Sequence, residues 1–230
     1  MARPRILMVL TSTARMGTDG EPTGLWLEEF TTPYWAFVDA GAEVTVASTA
    51  GGKVPVDPRS LADEPPPESV ARLRAEAPGL LDDTAAVDVL DPLAYDAVFL
   101  PGGHGTMWDL PRSAALAGLI GAAWRNGKVV AAVCHGPAGL IAARDAEGEP
   151  LVAGRRVTAF TNAEERAAGL AEAVPFLLES KLAEQGALFE AADPFQPHAI
   201  ADGRLITGQN PASSGPAAQL VLDALGASVW

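Results

Sequence analysis

The sequence predicts an α/β fold: a parallel sheet with helices packed on both faces. Strand-like and helix-like segments alternate through most of its 230 residues. The strand candidate RILMVL (Arg5–Leu10) is a continuous apolar run, as expected of a strand covered on both sides. A third observation is local. The β-branched run VVAAV ends on the only cysteine, Cys134, and passes at once into a helix-competent segment. That is the pattern of a strand-to-helix elbow presenting a nucleophile.

Taken in order, Arg5–Leu10 is the first strand, not a signal peptide, because its apolar run is short and no small-residue cleavage site comes after it. Residues 11–23 are a Gly- and Thr-containing loop, 24–39 a helix, and EVTVAS (Glu43–Ser48) the second strand. Residues 51–69 hold five prolines, three of them consecutive at Pro65, Pro66 and Pro67. This stretch is read as an insertion within one domain spanning 1–230, since neither side could stand alone. A short helix over 70–77 comes next, then an apolar turn or strand at 87–90 and a clearer strand, Ala97–Leu100. That strand runs into the tight loop PGGHG (101–105). Residues 113–126 form a helix stopped by Asn126-Gly127, after which the elbow strand begins. Beyond the elbow lie a strand at 156–160, a helix at 172–185 capped by Gly186, and a strand at 187–191. Residues 199–207 form an antiparallel hairpin around Asp202-Gly203, and the last helix is 215–225.

Composition narrows the function. A net charge of −13 leaves no basic patch to neutralise phosphates, which disfavours nucleic acid. No stretch is long and apolar enough for a membrane span. A single cysteine excludes an internal disulfide framework and an all-cysteine metal site, and a reducing cytoplasm is the natural compartment.

Ligands of open α/β sheets bind beyond the carboxyl ends of the strands, so the loops after Leu10, Leu100, Val133 and Phe160 are expected to meet. At the elbow, Ala132 and Gly136 supply small neighbours. A helix starting near 136–137 would aim its dipole at the Cys134 sulfur and lower the thiol pKa. The glycines of PGGHG let backbone approach a substrate oxygen, which makes Gly103 an oxyanion-hole candidate. His104 is read as facing the ligand. Because adjacent side chains diverge at an elbow, His135 is expected as a hydrogen-bonding or positive neighbour rather than a direct proton acceptor. Glu164 or Glu165 would orient its imidazole, with Glu165 preferred. On the first helix, Glu29 shares a side with Trp26, Phe30, Pro33 and Phe37, whereas Glu28 lies with Thr32, Trp35 and Asp39. Glu29 is therefore the inward carboxyl. Pro33 should break or kink that helix. A carboxyl in such a pocket has a raised pKa and can hold or accept a proton beside a thiol.

The assembled pieces resemble the ThiJ/PfpI superfamily, and within it the branch of glyoxalase III enzymes and heat-shock chaperones. The matching stretches are TGLWLEEFTTP, FLPGGHG, AVCHGP, TAFTNAEE, VPFLLESKL and ITGQNPASS, in order along most of the chain. The resemblance implies a flavodoxin-like fold and cofactor-independent conversion of methylglyoxal or related 2-oxoaldehydes to 2-hydroxy acids. It makes Cys134 the nucleophile, Glu29 the carboxyl bonded to it, His135 the second active-site residue and Glu165 its orienter. Thiolate addition to the aldehyde would give a hemithioacetal, and Glu29 or His135 would move a proton through an enediol. No cofactor and no metal are expected; zinc on Cys134, His135 and Glu29 is disfavoured by the divergent elbow geometry. A homodimer is implied, for which Trp108 and Trp230 are candidate interface aromatics. The alternatives are a stress-related chaperone or deglycase, a redox sensor, or a small-substrate cysteine hydrolase. An amidotransferase is disfavoured because the only later histidine, His198, lacks a nearby acidic partner.

Overall fold

The computed structural model describes residues 3–18 and 20–226. In chain order the elements are β1 (Arg5–Leu10), α1 (Leu27–Asp39), β2 (Glu43–Ser48), α2 (Glu68–Glu76), β3 (Ala85–Ala86), β4 (Ala97–Leu100), α3 (Thr106–Asp109), α4 (Ala114–Arg125), β5 (Val129–Val133), β6 (Arg156–Val157), α5 (Asn162–Ala167), α6 (Leu178–Glu184), β7 (Leu188–Phe189), β8 (Ala199–Asp202), β9 (Leu205–Gly208) and α7 (Ser214–Ala224). Seven strands form one sheet in the order β3-β2-β1-β4-β5-β9-β8. All its pairings are parallel except β8–β9, the hairpin expected around Gly203, which takes φ +59°. The pair β6–β7 forms a separate small sheet.

Strand periodicity divides the core. Leu7, Val9, Val98, Leu100, Val130 and Ala132 point to one face, where α4 packs with Leu116, Leu119 and Ile120. Ile6, Met8, Phe99, Ala131 and Val133 point to the other, against Phe30 and Phe37 of α1 and Ala217, Ala218 and Val221 of α7. The central strands are thus buried on both sides, which is why they read as unbroken apolar runs.

Several boundaries differ from the sequence reading. Helix α1 starts at Leu27, not at residue 24, because Leu25 is drawn into a parallel bridge with Val56. Pro33 does not break it. The helix runs through to Asp39, with Phe30, Pro33 and Phe37 all buried, so packing offsets the hydrogen bond that Pro33 cannot donate. The expected helix over 172–185 begins only at Leu178; Pro175 forces the residue before it out of helical geometry. The expected strand 156–160 is a two-residue strand. The backbone beyond it turns to run beside the elbow, with Phe160 N–H donating to Cys134 O at 2.9 Å. Residues 87–89 form a 3₁₀ turn, and the stretch 51–69 contains another, Pro58–Leu61. Trp108 is half-buried, and Trp230 lies outside the described residues. No helix among the described residues is long and apolar enough to cross a membrane.

Candidate active site

The elbow is built into the backbone. Strand β5 is held between β4 and β9, and at its end Cys134 takes φ +57°, a conformation rare for a side-chain-bearing residue. Cys134 N–H is tied to Gly208 O at 2.9 Å. Gly136 then has to be glycine, since a Cβ there would lie 2.1 Å from Leu100 O. The segment leaving the elbow is not an α-helix but a five-residue 3₁₀ turn, Gly136–Leu140.

That difference bears on the thiol. Cys134 is buried, and its pKa is pushed well above the ordinary range, first by burial and then by the neighbouring Glu29 carboxyl. A single 3₁₀ turn does not supply the dipole that the sequence reading invokes. The expected lowering of the thiol pKa is therefore reversed, and Cys134 rests as S–H.

Glu29 is fully buried on α1, whereas Glu28 is half-buried on the outer side. Burial raises Glu29 to about 8, with its contact to Cys134 and the Gly102 N–H pulling the other way. Its Oε2 accepts the Gly102 N–H at 2.9 Å. Its Oε1 is buried without a partner of good hydrogen-bond geometry among the described residues. Thiol and carboxyl are both neutral near pH 7, which is the state that avoids two buried negative charges side by side.

Helix α5 brings the second carboxylate. Thr161 caps it by accepting from Glu164 N–H, and the Glu164 side chain accepts in return from Thr161 N–H, a reciprocal capping box. Glu165, next in the chain, faces the elbow. Its Oε2 lies 2.8 Å from His135 Nε2 and its Oε1 lies 2.8 Å from His104 Nε2. Burial would raise its pKa, but the two imidazole hydrogen bonds outweigh this and hold it down to about 2. A carboxylate only accepts, so both imidazoles donate through Nε2–H, and a neutral ring so held presents an Nδ1 lone pair on the opposite side. For His135 that lone pair faces Cys134 Sγ at 3.3 Å. This is the hydrogen-bonding neighbour that the sequence leads one to expect, and it also brings Nδ1 within reach of the thiol proton. The rings of His104 and His135 are 4.0 Å apart, and Phe160 tilts against His135 at 4.5 Å.

Glu164 is occupied otherwise. Its Oε1 accepts Phe195 N–H, Gln209 Nε2 and Asn210 Nδ2. It fastens the loops beside the cavity instead of orienting a histidine.

Gly103 takes φ +100°, and a Cβ there would lie 2.3 Å from Gly24 O, so the PGGHG loop is pressed against the start of α1. The Gly103 N–H is not spent on another protein acceptor among the described residues. A cavity of about 240 Å³ opens over these groups, lined by Glu29, Gly103, His104, Cys134 and His135 together with Trp26, Arg59, Phe160, Ala168, Phe195 and Pro211. Three of the four expected loops meet here. The loop after Leu10 contributes only through its far end, its start being tied to Asp109 by Thr11 and Ser12.

His104, His135 and Glu165 form the one cluster of potential metal-binding side chains among the described residues. The two imidazole Nε2 atoms each lie 2.8 Å from a Glu165 oxygen, the spacing of hydrogen bonds. Sequence reading misses Arg59, Phe195 and the cap made by Glu164. The Thr-x-x-Glu spacing of Thr161 and Glu164 is the available signal for the last. Arg59 and Phe195 lie in loops with no such mark.

Comparison with known proteins places the chain in a family. Residues 24–222 match the model of the DJ-1/PfpI family. The chain is 32% identical to the glutathione-independent glyoxalase HSP31 of Saccharomyces cerevisiae, over 98% of this chain and 99% of that one. It is similar in structure to a Francisella tularensis Rapid Encystment Protein, at 35% identity and a TM-score of 0.92, over 96% of this chain and 99% of the other. It is also similar to glyoxalase III of Candida albicans, at 29% identity and a TM-score of 0.88, over 96% and 97%. The chain belongs to the DJ-1/PfpI family.

Proposed function

We propose that the protein is a glutathione-independent glyoxalase, converting methylglyoxal or a related 2-oxoaldehyde and water to a 2-hydroxy acid. The observation that carries the reading is the buried array of neutral carboxyl, thiol, imidazole and carboxylate formed by Glu29, Cys134, His135 and Glu165. Relatives named as glyoxalase 3 and as a glutathione-independent glyoxalase, alike over nearly the whole chain, support it.

In this reading His135 Nδ1 takes the Cys134 proton as sulfur bonds to the aldehyde carbon, and returns it to the new alkoxide. Glu165 stabilises the transient imidazolium, and the Gly103 N–H donates to the developing oxyanion. The hemithioacetal carbon then loses its hydrogen to neutral His135, while Glu29 gives its proton to the adjacent ketone oxygen. This forms the enediol. Glu29 next takes back a proton from the first hydroxyl as His135 protonates the second carbon, leaving a thioester of the 2-hydroxy acid. Water adds, the C–S bond breaks, and thiol and acid are restored. No cofactor enters this balance. His104 faces the ligand only from beside Glu165. The unit is taken as residues 1–230, working as a homodimer, as the family resemblance suggests, in a reducing cytoplasm, as the single cysteine suggests.

Purified protein incubated with methylglyoxal and no glutathione is expected to form lactate, and Cys134→Ser to abolish it. Wild type that forms no lactate overturns the reading.

A further inference from the structure

The Pro-rich stretch 51–69 reads from the sequence only as an insertion, and the array of Glu29, Cys134, His135 and Glu165 makes no use of it. In the structure it is fastened to the start of α1. Leu25 N–H donates to Pro55 O at 2.8 Å and Asp57 N–H to Leu25 O at 2.9 Å. Thr23 Oγ1 donates to Asp57 Oδ2 at 2.8 Å. Gly105 N–H in turn donates to Gly24 O at 3.3 Å, so insertion, helix start and PGGHG loop form one stack.

From this stack Arg59 reaches the cavity. Asp57 is fully buried and holds Arg59 by two routes, Nε–H to Oδ1 at 2.9 Å and Nη2 to Oδ2. Burial would raise the Asp57 pKa, but the Arg59 and Thr23 bonds keep it below the ordinary range. The pair is thus ionised, and Arg59 has a fixed place. Its Nη2 lies 3.4 Å from His104 Nδ1, the atom that carries the lone pair once Nε2–H is committed to Glu165. A guanidinium only donates, so the contact requires that lone pair. The polar side chains thus run in one chain from Asp57 through Arg59, His104, Glu165 and His135 to Cys134.

We propose that Arg59 is a positioning residue of the active site: held by Asp57, it fixes His104 as the neutral Nε2–H tautomer, so that Glu165 keeps its negative charge for His135. The inference rests on the glyoxalase reading for its consequence and on geometry for its cause. A second imidazolium beside Glu165 would neutralise the charge that His135 needs as it takes the thiol proton. The charged and titratable groups facing His104 are Glu165 and His135 on one side and Arg59 with Asp57 on the other. Burial, the neighbouring His135 and Arg59 all oppose its protonation and outweigh Glu165, lowering His104 to about 4.

The decisive measurement is ¹⁵N imidazole NMR of the wild-type protein against pH. The Nε2–H tautomer of His104 is expected, without titration above about pH 5. An Nδ1–H tautomer, or titration near an ordinary histidine value, overturns the proposal whatever the activity. Arg59→Met is expected to raise the His104 midpoint by about one unit. It should also add an acid-side ionisation at about pH 5 to the pH profile of kcat/KM for methylglyoxal, lowering kcat about fivefold against wild type at about pH 4 with KM little changed. Arg59→Lys, which keeps the charge but not the fork, should restore part of the profile. Superimposable profiles and spectra for wild type and Arg59→Met overturn the proposal. Should Arg59→Met fail to fold because Asp57 is left buried and unpaired, the paired variant Asp57→Asn with Arg59→Met removes that charge and is read by the same two criteria. A wild type that makes no lactate overturns the glyoxalase reading, while the histidine spectrum still decides the tautomer on its own.

Discussion

Glu165 joins two imidazoles: His135 Nε2 sits 2.8 Å from one of its oxygens and His104 Nε2 sits 2.8 Å from the other. One acceptor-only group therefore sets the tautomer of both rings and turns the His135 lone pair toward the thiol. Since Cys134 rests protonated, its reactivity depends on that lone pair and not on a standing thiolate.

Glu165→Gln keeps the shape but replaces one acceptor oxygen by an NH₂ donor, which cannot face two N–H donors at once. One histidine must rotate or change tautomer. A fall in kcat/KM for methylglyoxal of about 10²- to 10⁴-fold is expected, with the fold intact by circular dichroism. Activity within about twofold of wild type would show that the carboxylate has no part in the reaction.

Gly103 carries a steric demand beside its chemical one. With φ +100° and a Cβ that would sit 2.3 Å from Gly24 O and 2.4 Å from Trp26 N, Gly103→Ala is strained and cannot relax without moving the start of α1. A loss of about 2–4 kcal/mol is expected from urea unfolding. A stable variant would mean that the PGGHG loop is not fixed by this contact.

Much of this architecture is legible in the sequence, and the reason is strand burial. The runs Ile6–Leu10, Ala97–Leu100 and Val129–Val133 are apolar throughout because helices cover both faces. Glu29 is found inward by helical spacing alone. The features that escape are set by contacts distant in sequence. Pro33 marks a break that packing on α7 overrides, and Pro175 delays a helix that periodicity starts too early. Arg59 reaches the site only because Asp57 is pinned to Thr23 and Leu25, 34 and 32 positions away. No local pattern encodes such pairings.

Phe195 offers a test of backbone strain. It takes φ +63°, its N–H is held by Glu164 Oε1 at 2.8 Å, and its ring, 49% exposed, lines the cavity 6.3 Å from Phe160. Both Phe195→Ala and Phe195→Gly remove the ring and should raise KM. Only glycine relieves the left-handed backbone, so Phe195→Gly is expected to be more stable than Phe195→Ala by about 1 kcal/mol in urea. The reverse order would show that the loop relaxes once the ring is gone.

The carboxyl of Glu29 links stability to pH in a direction that can be worked out. Its ordinary value is 4.5, and burial raises it to about 8 in the folded chain. Between these values the folded state keeps a proton that the unfolded state has lost. The stability contributed by protonated Glu29 is therefore fully present below about pH 4.5 and is lost as pH rises toward 8. Glu29→Gln keeps an acceptor for the Gly102 N–H and a donor toward the sulfur but has no proton to lose. Its unfolding free energy should be flatter between about pH 5 and 8, so that the variant gains on wild type steadily across the window. The same substitution leaves nothing to give the ketone oxygen a proton, and kcat for lactate formation should fall by about 10²-fold or more. Parallel stability curves for wild type and variant would mean that Glu29 is already ionised at neutral pH. The carboxyl would then be a hydrogen-bond acceptor for the thiol and not the acid of the reaction.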